Sequence, residues 1–190
     1  MAIFQIASLI RKSAMSGHNK WSQIKRKKEK TDAVKGRVFS KYAKLITNEA
    51  RMAKGNKDAP AVRAAVERAR KENMPNDNID RAIKKAAEGG GAALEAILYE
   101  AYGPGGVALL IETLTDSRNR TSGELKHLLS LHSGNLASPG AAVWAFSKTP
   151  EGWSASTTAP LSDEDLAKLD ALVEALEAHE DVQEVITNAE

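Results

Sequence analysis

Two periodicities divide this chain. From Val34, the apolar residues Val38, Tyr42, Leu45, Ile46 and Met52 recur at spacings of three, four and seven, the stripe of an amphipathic helix. Gly55-Asn56-Lys57 should end it. Pro60 suits the first turn of a second helix over 61–72, which would turn Val62, Ala65, Val66 and Ala69 inward. Pro75 stops that helix, and Asp77 is placed to cap a third, with Ile79, Ala82, Ile83 and Ala86 facing the core. Gly89-Gly90-Gly91 closes the segment, so the pattern predicts a small three-helix bundle.

The second half changes period. Residues 99–102 lead into a Gly103-Pro104-Gly105-Gly106 turn, and 107–113 (VALLIET) reads as a strand with a buried centre. Thr121 with Glu124 has capping-box spacing, starting a helix that packs Leu125, Leu128 and Leu129, with Leu131 at its end. Residues 141–147 and 153–157 read as two further strands joined by a Thr149-Pro150-Glu151-Gly152 turn. Ser162 caps a long helix carrying Leu166, Leu169, Leu172, Val173 and Leu176 as one stripe, and 181–186 is the last strand. The order β-α-β-β-α-β is the ferredoxin-like arrangement, so the expected class is α+β. The expected domains are a basic helical one over 15–92 and an acidic ferredoxin-like one over 93–190. Residues 1–14 are expected to be an extension or a misassigned start before Met15, a transit peptide being the other reading.

Charge sharpens this division. The net charge of +2 hides +12 over residues 1–57, +1 over 58–90 and −11 over 91–190. Residues 15–57 hold thirteen Lys or Arg against three acids, Glu29, Asp32 and Glu49. Interspersed signs are usual on a merely solvated face, whereas Lys20, Lys25, Arg26, Lys27, Lys28, Lys30, Lys35, Arg37 and Lys41 run almost unrelieved. Such an arm suits a polyanion, with nucleic-acid phosphates the leading candidate and RNA as compatible as DNA. His18 and Trp21 lie within it; Trp21 could stack on an unpaired base or anchor the arm on the bundle. Arg118 and Arg120 form a second basic locus at a helix start, where backbone N–H groups favour an anion. They serve equally as partners for neighbouring acids.

Catalytic chemistry finds little support. With no cysteine there is no disulfide, thiolate zinc site or thiol nucleophile, a composition that fits a reducing, cytoplasmic setting. His18, His127, His132 and His179 show no metal-binding spacing, and His127 is expected to be partly buried packing. The Gly103–Gly106 run matches neither phosphate-binding glycine motif. No apolar run approaches the roughly 20 residues needed to cross a bilayer. No enzyme activity, cofactor, metal or membrane partner is expected, and a monomer is.

Four stretches together resemble the YebC/PmpR family: GHNKWSQIKRKK, ENMPNDNIDRAIKKA, YEAYGPGGVALLIETLTDSRNRT and DVQEVITNAE. They run from residue 17 to 190 in the family's order. The resemblance implies a helical N-terminal domain, a ferredoxin-like domain and no catalysis. It also implies binding to DNA as a transcriptional regulator or, as in relatives that include a mitochondrial translational activator, action on the ribosome. Family members carry a third domain inserted before the last helix, and AAVWAFSKTPEGWSASTTAPLSDEDL crosses that junction in too few residues to hold one. A protein-interaction adaptor, using the acidic half as its surface, is the reading of another class.

Overall fold

Helix α1, Asp32–Met52, carries its apolar stripe toward two shorter helices, α2 (Pro60–Lys71) and α3 (Asn76–Ala87). These belong to a computed structural model that describes residues 32–88, 94–150 and 152–190. Ile46, Ala65, Ala69, Met74, Ile79 and Ala82 form the shared core of the bundle, small enough for three short helices to approach closely. Thr47 Oγ1 donates to the Ala82 carbonyl at 3.0 Å, tying α1 to α3. Met52, expected in the stripe, is exposed. Asp77 lies inside α3, and Pro75 occupies the cap position: its fixed φ of −59° already suits the helix entry.

The second domain builds a four-stranded antiparallel sheet in the order β3-β1-β2-β6. β1 is Glu95–Tyr102, β2 is Ala108–Thr115, β3 is the short Asn135–Leu136 and β6 is Val182–Thr187. Between β2 and β3 runs helix α4, Arg118–Leu131; helix α5, Asp163–Ala178, leads into β6. The class is α+β, with the helical bundle at the N-terminal side. The layout has the ferredoxin-like spatial plan, two helices over a split β-α-β pair, but the strand lying between β2 and β3 is β1. It precedes the pair in sequence and joins β2 through a tight turn. Glu, Ala and Tyr make up six of the eight residues of β1, and its burial begins to deepen only near Glu100, so no period-two signal announces it.

Residues expected to supply the second and third strands form a separate two-stranded hairpin, β4 (Phe146–Thr149) with β5 (Gly152–Ala155). Residues 143–145 are a single 3₁₀ turn. The cause is Glu100, a buried carboxylate in β1. Its oxygens accept from the backbone N–H groups of Gly140 and Ala142 at 2.6 Å each and of Val143 at 2.8 Å, so those donors are unavailable to a ladder. Tyr102 O–H donates to the Ala141 carbonyl in the same loop. Burial pushes the Glu100 carboxyl up, but the three N–H donors outweigh it and hold it below the usual carboxylate range. Glu100→Gln keeps the shape but sets an amide NH₂ against backbone donors. It is expected to cost about 2 kcal/mol, read as a fall of roughly 4–8 °C in Tm with faster amide exchange at Ala142 and Val143.

Because the sheet is covered on both faces, β2 is buried almost throughout. Leu109 and Ile111 pack under α4 and α5 with Leu125, Leu129, Leu169 and Leu176. Ala108 and Leu110 point the other way, onto Ala142, Ala145 and Phe146 of the hairpin layer. The turn between β1 and β2 is made by Pro104–Gly106, and Gly103 N–H closes it on the Val107 carbonyl at 2.8 Å. Gly105 has φ of +67°, and a Cβ there would stand 2.5 Å from a Leu161 methyl. The glycine-rich run is therefore a packing turn.

Candidate nucleic-acid interface and its ionic frame

α1 begins at Asp32, so the arm residues His18, Lys20, Trp21, Lys25, Arg26, Lys27, Lys28 and Lys30 lie outside the described residues. Of the expected contacts, Lys35 and Arg37 are exposed on α1 and Lys41 is half-buried on the same helix. Arg37 and Lys41 point into a cleft of about 500 Å³ between the bundle and the sheet domain. Lys35, Arg37 and Lys41 thus carry positive charge over about one and a half turns of α1.

The second locus has a different anatomy. α4 starts four residues earlier than the capping-box spacing implies, with Ser117 rather than Thr121 at the cap position, so Arg118, Asn119 and Arg120 form its exposed first turn. Thr121 is fully buried: its hydroxyl meets Thr115 Oγ1 and Asp181 Oδ2 at 2.8 Å each and the Ser117 carbonyl at 3.1 Å. Arg118 pairs with Glu95 at 3.1 Å while 63% of its side chain stays exposed. Arg120 reaches Asp181 at 2.8 Å and Asp116 at 3.0 Å. Both arginines are therefore ion-paired within the domain, and Arg120 is the more deeply engaged.

Asp181 is the centre of this frame. Its side chain is 1% exposed and takes Lys44 Nζ of α1 at 2.8 Å, Arg120 of α4 at 2.8 Å and the Thr121 hydroxyl. Burial raises its pKa, but the hydrogen bonds from Lys44, Arg120 and Thr121 prevail and hold the carboxyl well below the usual range. His179 stands beside it. Its Nδ1 accepts from the Asp181 N–H at 3.1 Å, which leaves the Nε2 proton for Glu124 Oε2 at 2.8 Å. Glu124, His179 and Asp181 offer ligand-type atoms within 4.8 Å of one another. Lys44 and Arg120 already supply the counter-charge there, so the arrangement reads as a structural ion network joining two domains.

In the sequence Lys44 is one of many cations on a helix, and Asp181 opens the expected last strand. Their partnership spans 137 positions, and no periodicity signals a pair so far apart. His127, expected to be packed, is exposed, because the buried face of α4 is the narrow Thr121–Leu125–Leu129 row. Among the described residues, no helix is long and apolar enough to cross a membrane.

Residues 19–89 match the TACO1/YebC protein N-terminal domain, and residues 94–151 match the TACO1/YebC second and third domain. The chain belongs to the TACO1/YebC family. A "Probable transcriptional regulatory protein" of Syntrophus aciditrophicus is 47% identical over 175 residues, covering 90% of this chain and 67% of that protein. Another so named, from Desulforamulus reducens, is 44% identical over 93% of this chain and 74% of its own length. "Probable transcriptional regulatory protein Teth39_1009" of Thermoanaerobacter pseudethanolicus is 49% identical over 70% of this chain, which spans 55% of that relative. The crystal structure of a conserved hypothetical protein, Aq1575 from Aquifex aeolicus, superposes with a TM-score of 0.71 at 30% identity. The match covers 84% of this chain and 91% of that one.

Proposed function

We propose that this TACO1/YebC protein is a non-enzymatic, nucleic-acid-binding regulator of gene expression. The observation that carries this reading is the run of cations from Lys20 to Arg37, continued on α1 by Lys41 and set against an acidic C-terminal half. Neutralising several phosphates releases counterions, so affinity should fall steeply with salt. The relatives named as transcriptional regulators support the regulatory part. His18, Lys20, Trp21, Lys25, Arg26, Lys27, Lys28, Lys30, Lys35, Arg37 and Lys41 make the primary contact in this reading. Arg118, the more exposed of the two arginines, is the second anchor, and Arg120 orients the first turn of α4 through Asp181.

Contacts of this kind read backbone and shape, which suits structured RNA, including ribosomal RNA, at least as well as duplex DNA. Crosslinking in cells, followed by sequencing of the attached nucleic acid, tests the proposal. Promoter DNA would assign a transcriptional role and ribosomal RNA a role on the translating ribosome. Recovery of neither, with co-purifying proteins instead, would replace the proposal with an adaptor function.

A further inference from the structure

The cleft between the bundle and the sheet domain has one face of α1 as a wall, including Val34, Arg37, Val38 and Lys41. Facing it, α5 contributes Asp170, Glu174 and Glu177 at helical spacing, while the sheet adds Glu112 and Glu184. Across the whole lining, seven acids stand against four bases, a net of −3. Apolar floor is supplied by Leu114 and Leu98, and Lys148 sits 5.6 Å above the Trp153 ring at the hairpin side. Buried at the same place is Gln183 Nε2, a donor with no partner among the described residues. A site with this chemistry fits an extended cationic segment carrying an aromatic or apolar anchor.

The chain holds such a segment next to the site. Residues 20–30 carry Lys20, Lys25–Lys28 and Lys30 with Trp21 and Ile24, and α1 starts lining the cleft at Val34. Seventeen residues precede Asp32 from Met15 onward, a reach of up to about 55 Å when extended. A segment tethered so close acts at millimolar effective concentration, well ahead of a free basic peptide. We propose that, in the absence of nucleic acid, the acidic cleft binds the chain's own basic segment 20–30 and competes with phosphates for its cations. The cleft is then a built-in brake on non-specific binding: only a target that offers denser negative charge than the α5 wall releases the arm. The competition rests on the nucleic-acid reading above, whereas the intramolecular contact does not.

The absence of cysteine allows a single nitroxide to be placed on the arm of the full chain through Ser22→Cys. The amides of Glu112, Asp170 and Glu184 are expected to broaden at low salt and to recover in 0.5 M NaCl or on addition of a 25-base-pair DNA duplex. In the D170N/E174Q/E177Q chain the broadening should vanish, and duplex affinity should rise about fivefold to tenfold, since an arm docked nine-tenths of the time masks a tenfold affinity. A control with the same charge change outside the cleft, E67Q/E88Q/E180Q, is expected to gain less than twofold. Absence of broadening at the cleft in the unmutated, labelled arm, or equal gains in the two triple variants, overturns the proposal. Cleft broadening that salt removes but duplex or ribosomal RNA leaves unchanged would retain the contact and overturn the competition together with the nucleic-acid reading.

Discussion

Replacing Lys25, Arg26, Lys27 and Lys28 by alanine is expected to weaken binding to duplex DNA and to structured RNA on the order of a hundredfold near physiological salt. The same change should flatten the salt dependence. Each phosphate contact contributes about 0.9 to the slope of log affinity against log salt on duplex DNA, so four lost contacts remove about 3.6. The two readouts separate causes. A variant that loses affinity with an unchanged slope has been damaged elsewhere, whereas loss of both places the four cations on the phosphate backbone. An unchanged affinity would refute a role for the arm in nucleic-acid binding. Arg118→Ala should give a smaller version of the result, a slope change of about one, because Glu95 already shares its charge.

The second large effect belongs to Asp181. Asp181→Asn is expected to destabilise the protein by about 2–4 kcal/mol, because a buried carboxylate in the turn before β6 gathers three donors from two helices. An asparagine retains one acceptor but removes the charge that holds Lys44 and Arg120 together. In thermal unfolding this corresponds to a fall in Tm of roughly 5–15 °C, with α1 loosened from the sheet domain. Acid should act in the same direction. The carboxyls of Asp181 and Glu100 are both held below their ordinary values, so the stability they provide is fully present above about pH 5. It is lost as pH falls through the unfolded-state values near 4 and onward toward the lower folded ones. The acid-induced drop below pH 4 should therefore be shallower in Asp181→Asn, which has already surrendered its share. An identical acid profile in the two proteins would show that Asp181 contributes nothing through its charge.

What the residues disclosed in advance follows a physical line. The α1–α3 bundle and the α5 stripe were legible because each buried residue repeats at helical spacing within a dozen positions. The Ser162 cap was legible too, and its hydroxyl accepts from the Asp165 N–H at 3.1 Å. The β1 strand and the Glu100 loop were not. The loop is held by a side chain 40 or more positions away, and a glutamate with alanines before and after it in the strand looks like helix surface until its three N–H donors are seen. The same limit hid Lys44–Asp181. Charge density marked the arm plainly, but charge cannot tell an arginine that waits for phosphate from one already held by carboxylates, as Arg120 is.

The strand inserted from the N-terminal side also sets an order of events. In the β1–β2 hairpin, Tyr102 faces Ala108 across six positions, whereas in β2–β6 Ile111 faces Val185 across 74. Closing the longer loop costs more chain entropy, and that cost falls due before any of its contacts form. The hairpin can therefore close early as a local template, with α4 folding back over it. By the same reasoning β6 should pair late, and with it the Asp181 clasp that fixes the bundle against the sheet. Domain orientation in this protein is thus expected to be set last, when its most distant pairing is made.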